Sequence, residues 1–163
     1  MSKENTPAPW RATIASSLDW HEAHATFDDA VAGLSAELRG RRPEHFPHSA
    51  WEVVEHIRIT QADLVAFMRD SSYKAPTWPD DYWPSEPAPR DSSTWDESIA
   101  AVRRDRAELK AIATDPTLDL TTKILSGDGQ TYLRTILLAV DHAAYHVGQL
   151  IAVRRMLGAW PAE

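Results

Sequence analysis

The chain has 163 residues, a formal net charge of −7 and no cysteine, with 43% hydrophobic and 25% charged residues. A chain of that size buries most of its apolar surface without disulfides, so one domain over residues 1–163 is expected. Lacking cysteine, it has no thiolate chemistry and no cysteine-based zinc or iron–sulfur site, which leaves His, Asp and Glu as the strong metal ligands.

The negative balance argues against nucleic acid as the main partner, because Lys and Arg must neutralise phosphates there. The opening MSKENTPAPW lacks the apolar core of a signal peptide, and no apolar run reads as long enough to span a bilayer. A cytoplasmic protein with no membrane partner is the expectation.

Four segments carry a helical period. The first, about 13–39, spaces Trp20, Phe27, Val31, Leu34 and Leu38 by three, four and seven, and ends at Gly40 and Pro43. The basic LRGRRP at 38–43 reads as a solvated helix end. The second, about 49–70, opens with the capping box Ser49-Ala50-Trp51-Glu52 and lines Val53, Ile57, Thr60, Leu64, Phe67 and Met68 along one side. Residues 71–91, SSYKAPTWPDDYWPSEPAPRD, hold five prolines, two tryptophans and two tyrosines, which forbids a helix interior. A crossover loop this long either walls a pocket or wraps an apolar face. The third segment, about 93–114, places Trp95, Ile99, Val102, Leu109 and Ile112 on one stripe. LTTKILSGDGQTYL then reads as a tight turn between two short strands.

The fourth segment, about 131–157, is apolar on nearly every side, with Arg134, Asp141 and Arg155 in one narrow arc beside Gly148 and Ala152. Such a helix is central or covered by a partner, which points to a homodimer through this helix. The whole is read as an all-α four-helix bundle with a long crossover between the second and third helices.

His142 and His146 interrupt that apolar helix. Four residues apart, they point the same way, and Gln149 shares their side. A neutral imidazole is buried only where its nitrogens find partners. His56, two turns into the second helix, supplies a third ring from another element. Three neutral histidines suit Zn²⁺, Ni²⁺, Fe²⁺ or Cu²⁺, and a three-ligand site leaves a position for water or substrate. Buried histidines satisfied without any ion are the competing reading. His24, at the edge of the first stripe, is a pocket candidate, while His21, His45 and His48 read as surface groups.

HSAWEVVEHIRITQADLVAFMR at 48–69 and DHAAYHVGQLIAVRRMLGAW at 141–160 resemble the DinB/YfiT-like superfamily of metal-binding four-helix bundles. The resemblance spans essentially the whole chain. It implies His56, His142 and His146 as ligands of a divalent ion, zinc or nickel above all, and frequent dimers. It also implies enzymes that join low-molecular-weight thiols to electrophiles, or thiol-dependent isomerases.

The resulting expectation is a metal-dependent enzyme that activates a small thiol or water, a thiol S-transferase or a hydrolase, acting on a small-molecule substrate. With no cysteine in the chain, any thiol arrives from outside. Thr60 and Gln149 are candidates to hydrogen-bond ligand, and Tyr145, Trp78, Tyr82 and Trp83 to shape the pocket. Glu52 and Asp63 are the carboxylate candidates, although the capping box claims Glu52 first. The alternatives are a non-catalytic metal- or ligand-binding stress-response protein, and a dimeric scaffold that has lost its metal.

Overall fold

The computed structural model of the chain describes residues 8–161. Among these residues six α-helices follow one another: α1 (Pro9–Ser17), α2 (Phe27–Val31), α3 (Ala36–Arg39), α4 (Ala50–Arg69), α5 (Ser92–Thr114) and α6 (Tyr132–Met156). A single 3₁₀ turn, Asp80–Tyr82, lies in the crossover between α4 and α5. The three long helices start where their caps say. Ser49 Oγ accepts the Glu52 amide at 3.2 Å while Glu52 Oε2 accepts the Ser49 amide at 2.8 Å, so the capping box forms as written. Asp91 caps α5 and Thr131 caps α6 through their side-chain oxygens.

The expected first helix over 13–39 is instead three short ones. Pro9 opens α1, and the chain leaves helical geometry after Leu18. Thr26 and Asp29 then build a second capping box that restarts it at Phe27, and Gly33 at φ 66° breaks it again. Phe27, Val31 and Leu34 are nevertheless buried, whereas Trp20 is not. The periodic stripe reported which residues enter the core, and the local caps decided where helix forms.

The expected strand pair also gives way. Among the described residues there is no strand, only an isolated antiparallel bridge between Lys123 and Thr131. Ile124 donates to the Gln130 carbonyl at 2.8 Å and Tyr132 to the Thr122 carbonyl at 3.3 Å, while Leu120 and Ile124 are drawn into the core and Leu125 is left exposed.

Packing runs along α4, which lies against both α5 and α6. One core cluster gathers Val53, Val54 and Ile57 of α4, Trp95 and Val102 of α5, and Val147, Leu150 and Val153 of α6. A second gathers Leu64, Leu109, Ile112, Leu120 and Ile136. Gln61 ties α4 to α5 by donating to the Val102 carbonyl at 3.0 Å. The basic cluster at 38–43 is not merely solvated: Arg42 Nε donates to Glu52 at 2.8 Å, and Arg39 lies 4.9 Å over the Trp95 ring. Gly40 is required by close approach, because a Cβ there would stand 2.3 Å from Ala88 Cβ in the crossover.

Two buried arginines close helix ends. Arg11 donates to the carbonyls of Ala113 in the last turn of α5 and of Asp115 and Leu118 beyond it. Arg154, outside the charged arc read on α6, is 4% exposed and donates to the carbonyls of Ala30 at 2.7 Å, Ala32 at 2.8 Å and Ala159 at 3.0 Å. The Ala30 carbonyl is one that the last turn of α2 leaves without a helical partner.

The expectation that no apolar run could span a bilayer needs correcting for α6. By length and mean hydropathy, 1.4 over its most apolar window, this helix passes that test, with 33% of the window buried in the fold. Its histidines and three outward charges interrupt any unbroken run, but an average tolerates them. Leu137, Leu138, Tyr145 and Met156 are its exposed large side chains.

Candidate metal centre

α4 and α6 run beside each other and bring three imidazoles to one point. The His142 and His146 ring centroids are 4.4 Å apart, and the His56 centroid lies 4.9 and 4.5 Å from them. One ring nitrogen from each falls within 4.8 Å of the others, and the Nε2 atoms of His56 and His142 are 3.0 Å apart. Nitrogens bound to a tetrahedral zinc at about 2.0–2.1 Å lie about 3.4 Å from each other, so this spacing needs little adjustment to share an ion.

The rings are also turned the right way. His56 Nδ1 is 2.8 Å from the Tyr82 carbonyl oxygen, and His146 Nδ1 is 2.8 Å from Gln149 Oε1. A carbonyl oxygen only accepts, so both Nδ1 atoms carry the proton and both Nε2 lone pairs face inward. Gln149 in turn donates through Nε2 to the Tyr145 hydroxyl at 3.1 Å. An acceptor behind each ring is how proteins orient metal-binding histidines. The donor set is therefore three nitrogens, with no thiolate, and it fits a divalent ion of intermediate softness.

The crossover supplies the rest of the setting. Trp83 is sandwiched between two imidazoles, 4.0 Å from His56 at 4° and 4.0 Å from His48 at 10°. Asp63, one turn of α4 beyond Thr60, accepts from the Tyr73 and Tyr82 hydroxyls at 2.6 and 2.8 Å. Tyr82 is thus held at its hydroxyl by Asp63, while its backbone carbonyl holds His56. In front of the rings opens a cleft of about 420 Å³, lined by His48, Trp78, Trp83, Leu138, Asp141, Tyr145 and Gln149 with the three histidines.

The sequence model of the DinB superfamily matches residues 19–150, a span that includes His56, His142 and His146. The chain belongs to the DinB superfamily. No curated protein and no solved structure matches it.

In this DinB chain the residues singled out from sequence divide clearly. Tyr145 and Gln149 line the histidine cleft, as do Trp78 and Trp83. His24 does not. It is exposed, donates from Nδ1 to the neighbouring Ala25 carbonyl, and borders a separate small cavity with Trp20, Gln61 and Arg106. Its helix ended at Ser17, so the stripe that aimed it inward does not exist there. Asp63 faces a different depression and acts on the site only through Tyr82. Thr60 is not among the cleft residues, and its buried hydroxyl has no hydrogen-bond partner. Glu52 is taken by the capping box and Arg42. His21 and His45 are exposed, each near a carboxylate. His48 corrects the surface reading: it stacks on Trp83, and its Nδ1 is buried without a partner. Nothing in its local sequence signals this, because the ring that covers it arrives from the crossover.

Burial is the first cause holding His142 down, to about 3, with His146 and His56 adding to it. Burial likewise lowers His146 to about 4, against a hydrogen bond to Gln149 that raises it. His56 is lowered by burial too, and the Tyr82 carbonyl opposes this. All three rings are neutral at neutral pH, the form in which imidazole binds metal. The same shifts make metal-free protein acid-sensitive. Below the ordinary 6.5 the unfolded chain takes up protons that folded His142 and His146 refuse, so stability falls as pH drops from about 6.5 toward 4 and is full above that window. Urea midpoints of metal-free protein are expected to decline between pH 7 and 5, and His142→Gln to flatten the decline.

Proposed function

We propose that this DinB protein binds one divalent ion, zinc or nickel, through His56, His142 and His146 and uses it to activate a small thiol or water for reaction with a small-molecule electrophile. The observation that carries the reading is the convergence of three imidazoles from two helices, two of them aimed from behind by Tyr82 and Gln149, at the floor of an open cleft. When bound, such an ion supplies positive charge that makes a coordinated thiol or water more acidic at neutral pH.

The remaining work falls to the chain's own side chains. The Tyr82 carbonyl and Gln149 Oε1 retain the Nδ1 protons and keep the His56 and His146 rings from rotating. Trp83 covers one face of His56 and keeps water from it. Trp78, Tyr145 and Leu138 offer apolar surface to the body of a substrate. A homodimer through the exposed apolar side chains of α6, a cytoplasmic location and the absence of a nucleic-acid or membrane partner belong to the same proposal.

The test is metal analysis of protein purified without a polyhistidine tag, followed by thiol-consumption assays with a panel of electrophiles. Near-stoichiometric zinc or nickel is expected, with thiol consumption well above that of His146→Ala. A protein that carries neither metal and gains none on addition overturns the reading. Metal without turnover above the variant, with any thiol, leaves a non-catalytic metal-binding protein.

A further inference from the structure

The cleft has a charge character of its own. Among the described residues that line it there is no lysine and no arginine. A small molecule that presented carboxylates or phosphates to this wall would lose their hydration with no guanidinium or ammonium to replace it. Arg42, the cation that acts on His48 at the edge of the cleft, is paired with Glu52. The one acidic group on the wall is Asp141, exposed and one turn before Tyr145 on the same helix.

Two aromatic rings at the same wall are mostly exposed, Trp78 leaning on Tyr82 at 5.4 Å and Tyr145 meeting His146 edge-on at 4.9 Å. Trp78 is 69% exposed and Tyr145 63%. Trp83 cannot offer a ring face to a ligand, because His48 and His56 occupy both of its sides. Large exposed aromatics that share a cleft with a carboxylate form a surface that recognises organic cations, through the ring faces and the charge together. The overall charge of −7 draws such molecules in at long range.

We infer that the cleft takes a small nucleophile whose body carries an organic ammonium group, and disfavours one whose body carries a carboxylate. This rests on the metal reading above, since the nucleophilic atom is assigned to the ion, and it adds which substrates the wall admits. Asp141 and Trp78 are the residues that select.

The experiment uses zinc-loaded protein and three thiols of one length: 4-aminobutane-1-thiol, 4-mercaptobutan-1-ol and 4-mercaptobutanoate. All share the sulfur and differ only in the remote charge, and calorimetry reads binding without any turnover. The amine is expected to bind about tenfold tighter than the acid, with the alcohol between them. Asp141→Asn should shrink that ratio to about threefold or less, and Trp78→Ala should weaken the amine more than the acid. Equal or tighter binding of the acid, or a ratio untouched by Asp141→Asn, overturns the inference while leaving the metal reading intact. Failure of the protein to take up zinc at all overturns both.

Discussion

Replacing His142 with alanine is expected to weaken zinc binding by two to three orders of magnitude. Structural zinc sites are worth about 10–16 kcal/mol over four ligands, or about 2.5–4 kcal/mol each, and about 1.4 kcal/mol is a factor of ten. His142 is the cleanest of the three to remove. Its Nε2 meets His56 Nε2, and it lacks the loop contacts of His56, which is bonded to Tyr82 and stacked on Trp83. His146, for its part, is bonded to Gln149. The variant should therefore keep its helical content and lose its metal. Competition against a chromophoric chelator measures the affinity, with exposed His21→Ala as a control that should change nothing. Wild-type affinity in His142→Ala would show that the imidazoles do not share an ion.

The second large effect is structural. Arg154→Leu is expected to cost about 3 kcal/mol of stability and to lower the melting temperature by about 6–12 °C. Leucine roughly fills the space near the backbone, yet it leaves the carbonyls of Ala30, Ala32 and Ala159 without their donor. Each unsatisfied buried acceptor costs about 1–3 kcal/mol. The burial that lowers the Arg154 pKa also makes the native arginine costly to desolvate, so the net loss is smaller than three such terms added together. Its stacking on Trp160, 5.0 Å away, is lost as well. Thermal and urea unfolding check this, and a shift of less than about 1 kcal/mol would mean the carbonyls find water instead.

Both variants mark how far the sequence could be read. The three long helices were legible to within a residue, because Ser49, Thr131, Gly158 and the apolar stripes all agree on where each begins and ends. The convergence of the three imidazoles was legible for a related reason: a helical period fixes the direction of His142 and His146, and His56 sits on the stripe of the helix they face. The first segment was not legible, since Thr26 and Asp29 compete locally with a periodicity that spans them. His24 was misplaced along with it. His48 and the back-bonding of His56 were out of reach for another reason. They depend on Tyr82 and Trp83, which lie 26 and more positions along an irregular segment whose path no repeat encodes. Arg154 was hidden because a charge beside Arg155 on an exposed-looking turn reads as solvent-facing, and only the arrival of α2 supplies the carbonyls that bury it.

The link between Asp63, Tyr82 and His56 means that the span joining α4 to α5 is more than a tether. A plain glycine–serine string of the same reach would let α4, α5 and α6 associate as before, since their apolar stripes carry that association. One imidazole of the three would then be free to spin about its Cβ–Cγ bond, with solvent on the face that Trp83 now shields. Grafting only the helices of this chain onto another scaffold would accordingly transplant the three imidazoles without the direction that the crossover gives to His56.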